Sequence, residues 1–282
     1  MKRSRDSVMQ ALRSRDMLLA SVTKADEDID KIINLLGERL EDWYGIYFPE
    51  LKAEDKIKYA EASLVIDREN FDENALLAFF SQKTASELAA ASKTSLGAKI
   101  SAKDLEQCKS LARSIVALDM QRKEFAAYQR ELANEICPNM AAVAGPEIAA
   151  KLVSHVGSLN KLAILPASAI QVMGAEKALF KHLKNRNVPP PKHGIIFQHP
   201  RISSSPKAVR GKIARALANK LCLACKADAF SKRDISADLK AGFDARYAQI
   251  MQQYEKEKKN APNFEKNEPS VQSPQSPDPR VE

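Results

Sequence analysis

The chain has 282 residues, 44% of them hydrophobic, with 44 Lys and Arg against 36 Asp and Glu, a formal net charge of +8 and a pI near 9.2. That is enough apolar material for one or two packed domains. Four cysteines are too few for a disulfide framework, the start MKRSRDSVMQ lacks the apolar run of a secretion signal, and no stretch of about 18 apolar residues offers a membrane span. These features predict a soluble, intracellular protein in a reducing compartment. Glycine is scarce, and only Gly97 falls between Gly45 and Gly145, which favours helices over a turn-rich sheet fold.

The first predicted element runs from about Ser7 to Phe48. Leu12, Leu19, Val22, Ile29, Ile33, Leu36, Leu40, Trp43 and Tyr47 follow three-four spacing, interrupted by Arg15 and Asp26, and Pro49 stops the pattern. Such a helix is about 60 Å long, the length of a coiled-coil arm. Shorter helices fill 50–103, one of them capped by Asp72, with a break at Ser95-Leu96-Gly97. A second long helix begins at the capping-box stretch Ser101 to Asp104 and carries Cys108, Leu111, Ile115, Leu118, Arg122, Phe125, Gln129, Leu132 and Ile136, ending at Pro138. The economical reading pairs the two helices antiparallel; a parallel homodimer through either is the alternative. Asp26, Arg122 and Gln129 are polar seam positions able to fix register.

After Pro138 small and aliphatic residues dominate, as in AAVAGPEIAAKLVSHVGSLNKLAILPASAI, which reads as a compact helical core. From about 255 the stretch EKEKKNAPNFEKNEPSVQSPQSPDPRVE reads as a disordered tail.

Charge is concentrated. Between Gly174 and Lys220 there are seven Lys and four Arg against one acid, Glu176, a local excess of +10 that exceeds the whole chain's charge. This is the footprint of a phosphate-binding surface, although a solvated basic face would look the same. Three stretches carry it. In GAEKALFKHLK (174–184), Gly174 and Ala175 are placed to open a helix whose amino end meets a phosphate, with Lys177, Lys181 and Lys184 on one face. In PPKHGIIFQHP (190–200), prolines bracket an apolar run flanked by Lys192, His193, Gln198 and His199, suited to stacking on or bonding an unstacked base. In RGKIARALANK (210–220), Arg210, Lys212 and Arg215 decorate an amphipathic helix able to hold a sugar–phosphate backbone. The plain alternative for each is ordinary surface or core packing. Cys222 and Cys225 form a C-x-x-C pair without a second pair for zinc and read as small core residues on a helix. No phosphate loop, dinucleotide fingerprint or serine elbow is present.

The order GPEIAAKLVSHVGSLNKLAILPASAIQVMGAEKALFKHL, PPKHGIIFQHP, RGKIARALANKL and Asp228-Ala229-Phe230 resembles the Nop-domain family of box C/D ribonucleoprotein core proteins, and the arm RDMLLASVTKADEDIDKIINLLGERLEDWYGIYFPEL is similar to that family's first coiled-coil helix. The resemblance covers roughly residues 15 to 250. It implies an all-α fold: a long antiparallel coiled-coil arm (1–137), a compact helical Nop domain (138–254) and a disordered tail (255–282). It implies a non-catalytic scaffold without cofactor or metal that clamps a kink-turn of a box C/D-type guide RNA together with a small ribosomal-protein-like kink-turn binder, organises guided 2'-O-methylation, and associates with a copy or paralogue through the coiled coil. An adaptor without RNA contact and a spliceosomal-type relative are the alternatives. By motif, Gly174, Ala175, Glu176 and Lys177 approach phosphates, and Ala178 and Lys181 lie at the RNA–protein junction. Lys192 belongs to the proline loop, Gln198 and His199 meet an exposed nucleotide, and Arg210, Lys212 and Arg215 bind backbone. Archaeal and nucleolar members carry an α/β domain before the arm that holds fibrillarin. Here Met1 sits just before the arm, so fibrillarin contact is expected to be indirect or absent. The expected location is cytoplasmic for an archaeal protein and nucleolar for a eukaryotic one.

Overall fold

The structure is a computed structural model that describes residues 15–68 and 71–260, and within them it contains helices and no strand. In chain order the helices are α1 (Arg15–Tyr44), α2 (Lys56–Val65), α3 (Glu73–Leu76), α4 (Gln82–Thr94), α5 (Ala102–Ile136), α6 (Pro138–Ala144), α7 (Pro146–Val156) and α8 (Leu159–Ala163). They continue as α9 (Ala167–Val172), α10 (Glu176–Lys184), α11 (Pro200–Ser203), α12 (Lys207–Lys226) and α13 (Ser236–Asn260). A 3-10 turn, Ile195–Gln198, precedes α11, and a π-turn, Ala227–Ser231, follows α12. None of the helices described is long and apolar enough to cross a membrane.

The arm is the pair α1 and α5. Arg15 bonds Glu135, Gln129 Nε2 donates to Thr23 Oγ1 at 2.9 Å, and Arg122 reaches Asp30 at 3.0 Å, so residue numbers rise on one helix as they fall on the other. The pairing is antiparallel. Leu19, Val22, Ile29, Ile33 and Leu40 face Cys108, Ile115, Leu132 and Ile136 across a buried seam. Ser101 caps α5 by accepting the Asp104 N–H, and Asp72 caps α3 through the Asn74 and Ala75 N–H groups. A polar layer interrupts the seam. Thr23 donates to its own Leu19 carbonyl while accepting from Gln129. The buried Asp119 takes Arg122 and Lys123, and although burial works to raise its pKa, these two cations hold the carboxyl below its ordinary value.

Three sequence expectations shift. The first helix closes at Tyr44 rather than Phe48, while Leu12 and the start near Ser7 lie outside the described residues. Tyr44, not Trp43, points inward: Tyr44 is fully buried against Tyr47 and Tyr59 edges, and Trp43 is 42% exposed. The last helix continues to Asn260, into the stretch read as tail from 255, because EKEKK carries good helix formers with no proline before Pro262. The rest of that stretch lies outside the described residues.

Two apolar clusters result. One gathers α2, α3 and α4 against the far half of the arm. The other fills the body from α6 to α13 and also takes in Leu19, Val22, Leu132, Ala133 and Ile136, the near end of the arm. Asp228 locks the body. Its buried carboxylate accepts the Asn139 and Met140 N–H groups and the Asn139 side-chain amide, capping α6 from the π-turn 89 positions later in the chain. Asn139 also links to the Arg233 carbonyl and the Ile235 N–H.

Candidate nucleic-acid and protein interface

Two glycines set the geometry. Gly174 has φ +85°, in the left-handed region, where it turns the chain from α9 into α10. A side chain on Gly194 would come within 1.9 Å of the Met173 carbonyl. Without one, the loop lies flat on the α9–α10 turn: Gly194 N–H bonds the Gln171 carbonyl at 3.0 Å, Ile195 N–H bonds the Met173 carbonyl at 2.7 Å, and Gln171 Nε2 donates to the Lys192 carbonyl at 2.8 Å. Ile196 is fully buried beneath, which holds the loop by roughly 1.5–3 kcal/mol of apolar burial. The motifs QVMGAEK and PPKHGIIFQHP are therefore one piece of surface.

Helix α10 stands open on this base. None of its residues is fully buried. At 100° per residue Lys177, Lys181 and Lys184 fall within one narrow stripe, with Phe180 and Leu183 beside it. Phe180 and Leu183 are 60% and 64% exposed, whereas Leu179 and His182 turn toward the body. The three lysines make no ion pair among the described residues. A cationic stripe thus lies beside an exposed apolar one on the same helix.

The amino end of α10 carries an acid of its own. The Glu176 carboxylate accepts the Gly174 N–H at 2.7 Å and pairs with His155 at 2.7 Å. Burial pushes its pKa up, but these hydrogen bonds and His155 outweigh that and lower it. A carboxylate of the chain itself therefore sits at this amino end, beside the turn that Gly174, Ala175 and Glu176 build. Lys177 and Lys181 lie exposed along the helix, with the exposed Ala178 between them.

The proline loop divides its residues in the same way. Gln198 is exposed and accepts from Lys151 Nζ at 2.9 Å, so it remains at the surface. His199 turns inward: Nδ1 accepts the Arg201 N–H at the start of α11, and the ring meets the edge of Phe243 at 5.5 Å. Burial, then the charge of Arg201, lowers its pKa, as suits a neutral packed ring. Arg201 itself bonds Asp244 and lies over Phe243 and Tyr247, pinning α11 to α13. Arg210 is also largely internal, donating to the Ser205 and Ser203 carbonyls at 2.7 and 2.9 Å and lying over Phe197, against which His193 stacks at 4.4 Å. Lys192, Lys212 and Arg215 face outward around a groove of about 340 Å³ between Pro189–Pro191 and α12.

Lys177, Ala178, Lys181, Lys192, Gln198, Lys212 and Arg215 are thus solvent-facing, while Glu176, His199 and Arg210 hold the surface in shape. The exposed Phe180 and Leu183 were not among the residues the sequence singled out. The signal was present in the i, i+3 spacing beside the lysines. In the C-x-x-C pair, burial pushes the Cys225 thiol up to about 12, and Cys222 Sγ points at the Leu165 carbonyl.

A family profile described as "Nop: snoRNA binding domain, fibrillarin" matches residues 25–268. Among curated proteins, an uncharacterized NOP5 family protein of Methanocaldococcus jannaschii is 42% identical over 247 residues, covering 86% of this chain and 59% of the relative. Nucleolar protein 56 of Caenorhabditis elegans is 36% identical over 235 residues, covering 79% of this chain and 48% of the relative. A solved fibrillarin/Nop5p complex contains a chain 30% identical to this one with a TM-score of 0.50, covering 90% of this chain and 73% of that one. The chain spans about half to three-fifths of the length of these two curated relatives.

Proposed function

The chain belongs to the Nop family, and from that premise we propose that it is a non-catalytic scaffold which clamps a kink-turn in a box C/D-type RNA together with the small protein bound to that kink-turn. One observation carries this reading: the lysine stripe of α10 runs beside exposed Phe180 and Leu183 on a helix with no fully buried residue. Lysines suit phosphates, which they position without reading sequence. The apolar strip suits a protein partner, since contiguous exposed apolar side chains mark such contacts. Lys192, Lys212 and Arg215 extend the cationic part, and Gln198 offers an amide to an exposed base. We take residues up to 137 as the arm and 138–254 as the RNA- and protein-binding body.

We place the chain in a fibrillarin-containing particle that performs guided methylation, on the strength of the family description and the solved relative. The arm supports self-association or pairing with a paralogue. Ile32, Leu35, Trp43 and Ile46 fall on one exposed face of α1 and its continuation, away from the α5 seam.

The test is an electrophoretic shift with a kink-turn RNA, with and without its kink-turn-binding protein, at two salt concentrations. The expected result is binding that requires both components and weakens as salt rises. Absence of a shift in every lane overturns the RNA reading and leaves the arm as a protein adaptor.

A further inference from the structure

The basic surface does not stop at the proline loop. Lys212 and Arg215 line two grooves, one on each side of α12: the proline-walled groove already described and a larger one, about 490 Å³, between α12 and α13. The second groove adds Lys220 from α12 and Arg246 from α13, with Asn219 and Gln249 as amides, and no carboxylate lines it. None of its four cations makes an ion pair among the described residues. Arg246 is oriented by a 3.0 Å bond to Gln249, and a side chain at Gly242 would meet the Lys220 ammonium at 2.5 Å, so the small residue leaves room for Lys220 to lie across to α13.

We propose that the α12–α13 groove is a second RNA track, which takes the sugar–phosphate backbone of the bound RNA beyond the part held at α10 and the proline loop. The inference rests on the RNA-scaffold reading and extends its contact area. From Lys212 to Leu223 the groove follows α12 for about 16 Å, against about 3.4 Å per phosphate along one strand of a DNA duplex. It therefore meets a run of phosphates rather than a single one. Charge complementarity selects the occupant. Four unpaired cations and two amides match a polyanion with hydrogen-bonding sugars, and a groove without carboxylates has nothing to offer a basic segment. The shared Lys212–Arg215 ridge makes the track continuous with the first surface.

The test uses the full chain, the kink-turn-binding protein and two RNAs, a minimal kink-turn and the same kink-turn with one stem lengthened. The variants are Lys220→Ala with Arg246→Ala, and separately Gln249→Glu, which adds a negative charge without removing a cation. Lys240→Ala, an exposed cation of α13 outside the groove, is the control. The track predicts that the lengthened RNA binds more tightly to the parent. It also predicts that both groove variants weaken the lengthened RNA by about tenfold at low salt and lower its salt slope by about 1 to 2, with the minimal RNA and the control unchanged. If the lengthened RNA gains nothing, or the variants weaken both RNAs equally, the second track is overturned while the scaffold reading stands. If neither RNA binds the parent, the scaffold reading fails and the track falls with it.

Discussion

The arm and the α10–α12 side of the body use charge in opposite ways. Along the arm, most cations find partners within the chain: Arg15 with Glu135, Lys31 with Asp28, Arg39 with Asp42, Arg113 with Glu106, Arg122 with Asp30 and Asp119, Lys123 with Asp119, and Arg130 with Glu147. Exposed pairs of this kind contribute little stability each; what they achieve is local neutrality along the helix. On the body, Lys177, Lys181 and Lys184 share one stripe of α10, and Lys192, Lys212 and Arg215 the rim of one groove, with no acid bonded to any of them among the described residues. Such crowding repels itself and is unfavourable to the compact state. The difference teaches where to look for function: in this chain the informative cations are those the fold leaves unanswered.

The contrast breaks first if the body is not held by its own polar key. Asp228→Ala leaves the Asn139 and Met140 N–H groups and the Asn139 amide without their acceptor, and is expected to lower stability by about 3 kcal/mol in urea denaturation. A loss below about 1 kcal/mol contradicts the lock. Next in size, Lys181→Glu combined with Arg215→Glu is expected to weaken RNA binding by about a hundredfold at low salt, with stability unchanged within about 0.5 kcal/mol. Lys31→Glu in the arm should leave binding as it was. Equal effects at both places erase the distinction.

Within the arm, Thr23→Val and Gln129→Leu are each expected to cost about 1–2 kcal/mol, while the double variant returns close to the parent, because removing both partners leaves no unsatisfied group. Additive losses in that cycle mean the layer is not a pair. The smallest effect is a pH dependence. With the His199 pKa lowered by burial and Arg201, the unfolded chain binds the proton more readily than the folded one. Stability is then full above the unfolded value of about 6.5 and is lost as pH falls through the folded value. His193, lowered by burial and then by Arg210 and Lys192, acts in the same sense. His199→Asn, which keeps a capping side chain at the start of α11, should flatten the slope measured by denaturation between neutral and mildly acidic pH; an unchanged slope assigns it elsewhere.

The all-α architecture and the antiparallel helix pair were legible because apolar spacing along one long helix is a local property. So were the caps at Ser101 and Asp72, whose partners lie within three residues. Trp43 was misphased because the choice between Trp43 and Tyr44 is made by Tyr47 and by Tyr59 of α2, the latter a tertiary neighbour that spacing does not reveal. The site was legible as motifs but not as roles. Glu176, His199 and Arg210 looked like equals of Lys181 and Lys212. Their internal duties depend on His155, on the Phe243 ring and on the Ser203 and Ser205 carbonyls, two of the three supplied by remote parts of the chain. Asp228 stood in the sequence as a lone acid among alanines, and its partner 89 positions earlier was invisible there.

The near end of the arm shares the body's core, through Leu19, Val22, Leu132, Ala133 and Ile136. Mechanically, α1 is a cantilever clamped at its root, about 45 Å long for its 30 residues. A tilt of about 10° at the clamp would carry the free end through roughly 8 Å, more than one helical turn. Whatever grips the free end is therefore registered against the surface of α10 and the proline loop to within the stiffness of the root. The Thr23–Gln129 layer, only a few residues out from that root, is where the aim of the whole lever is set.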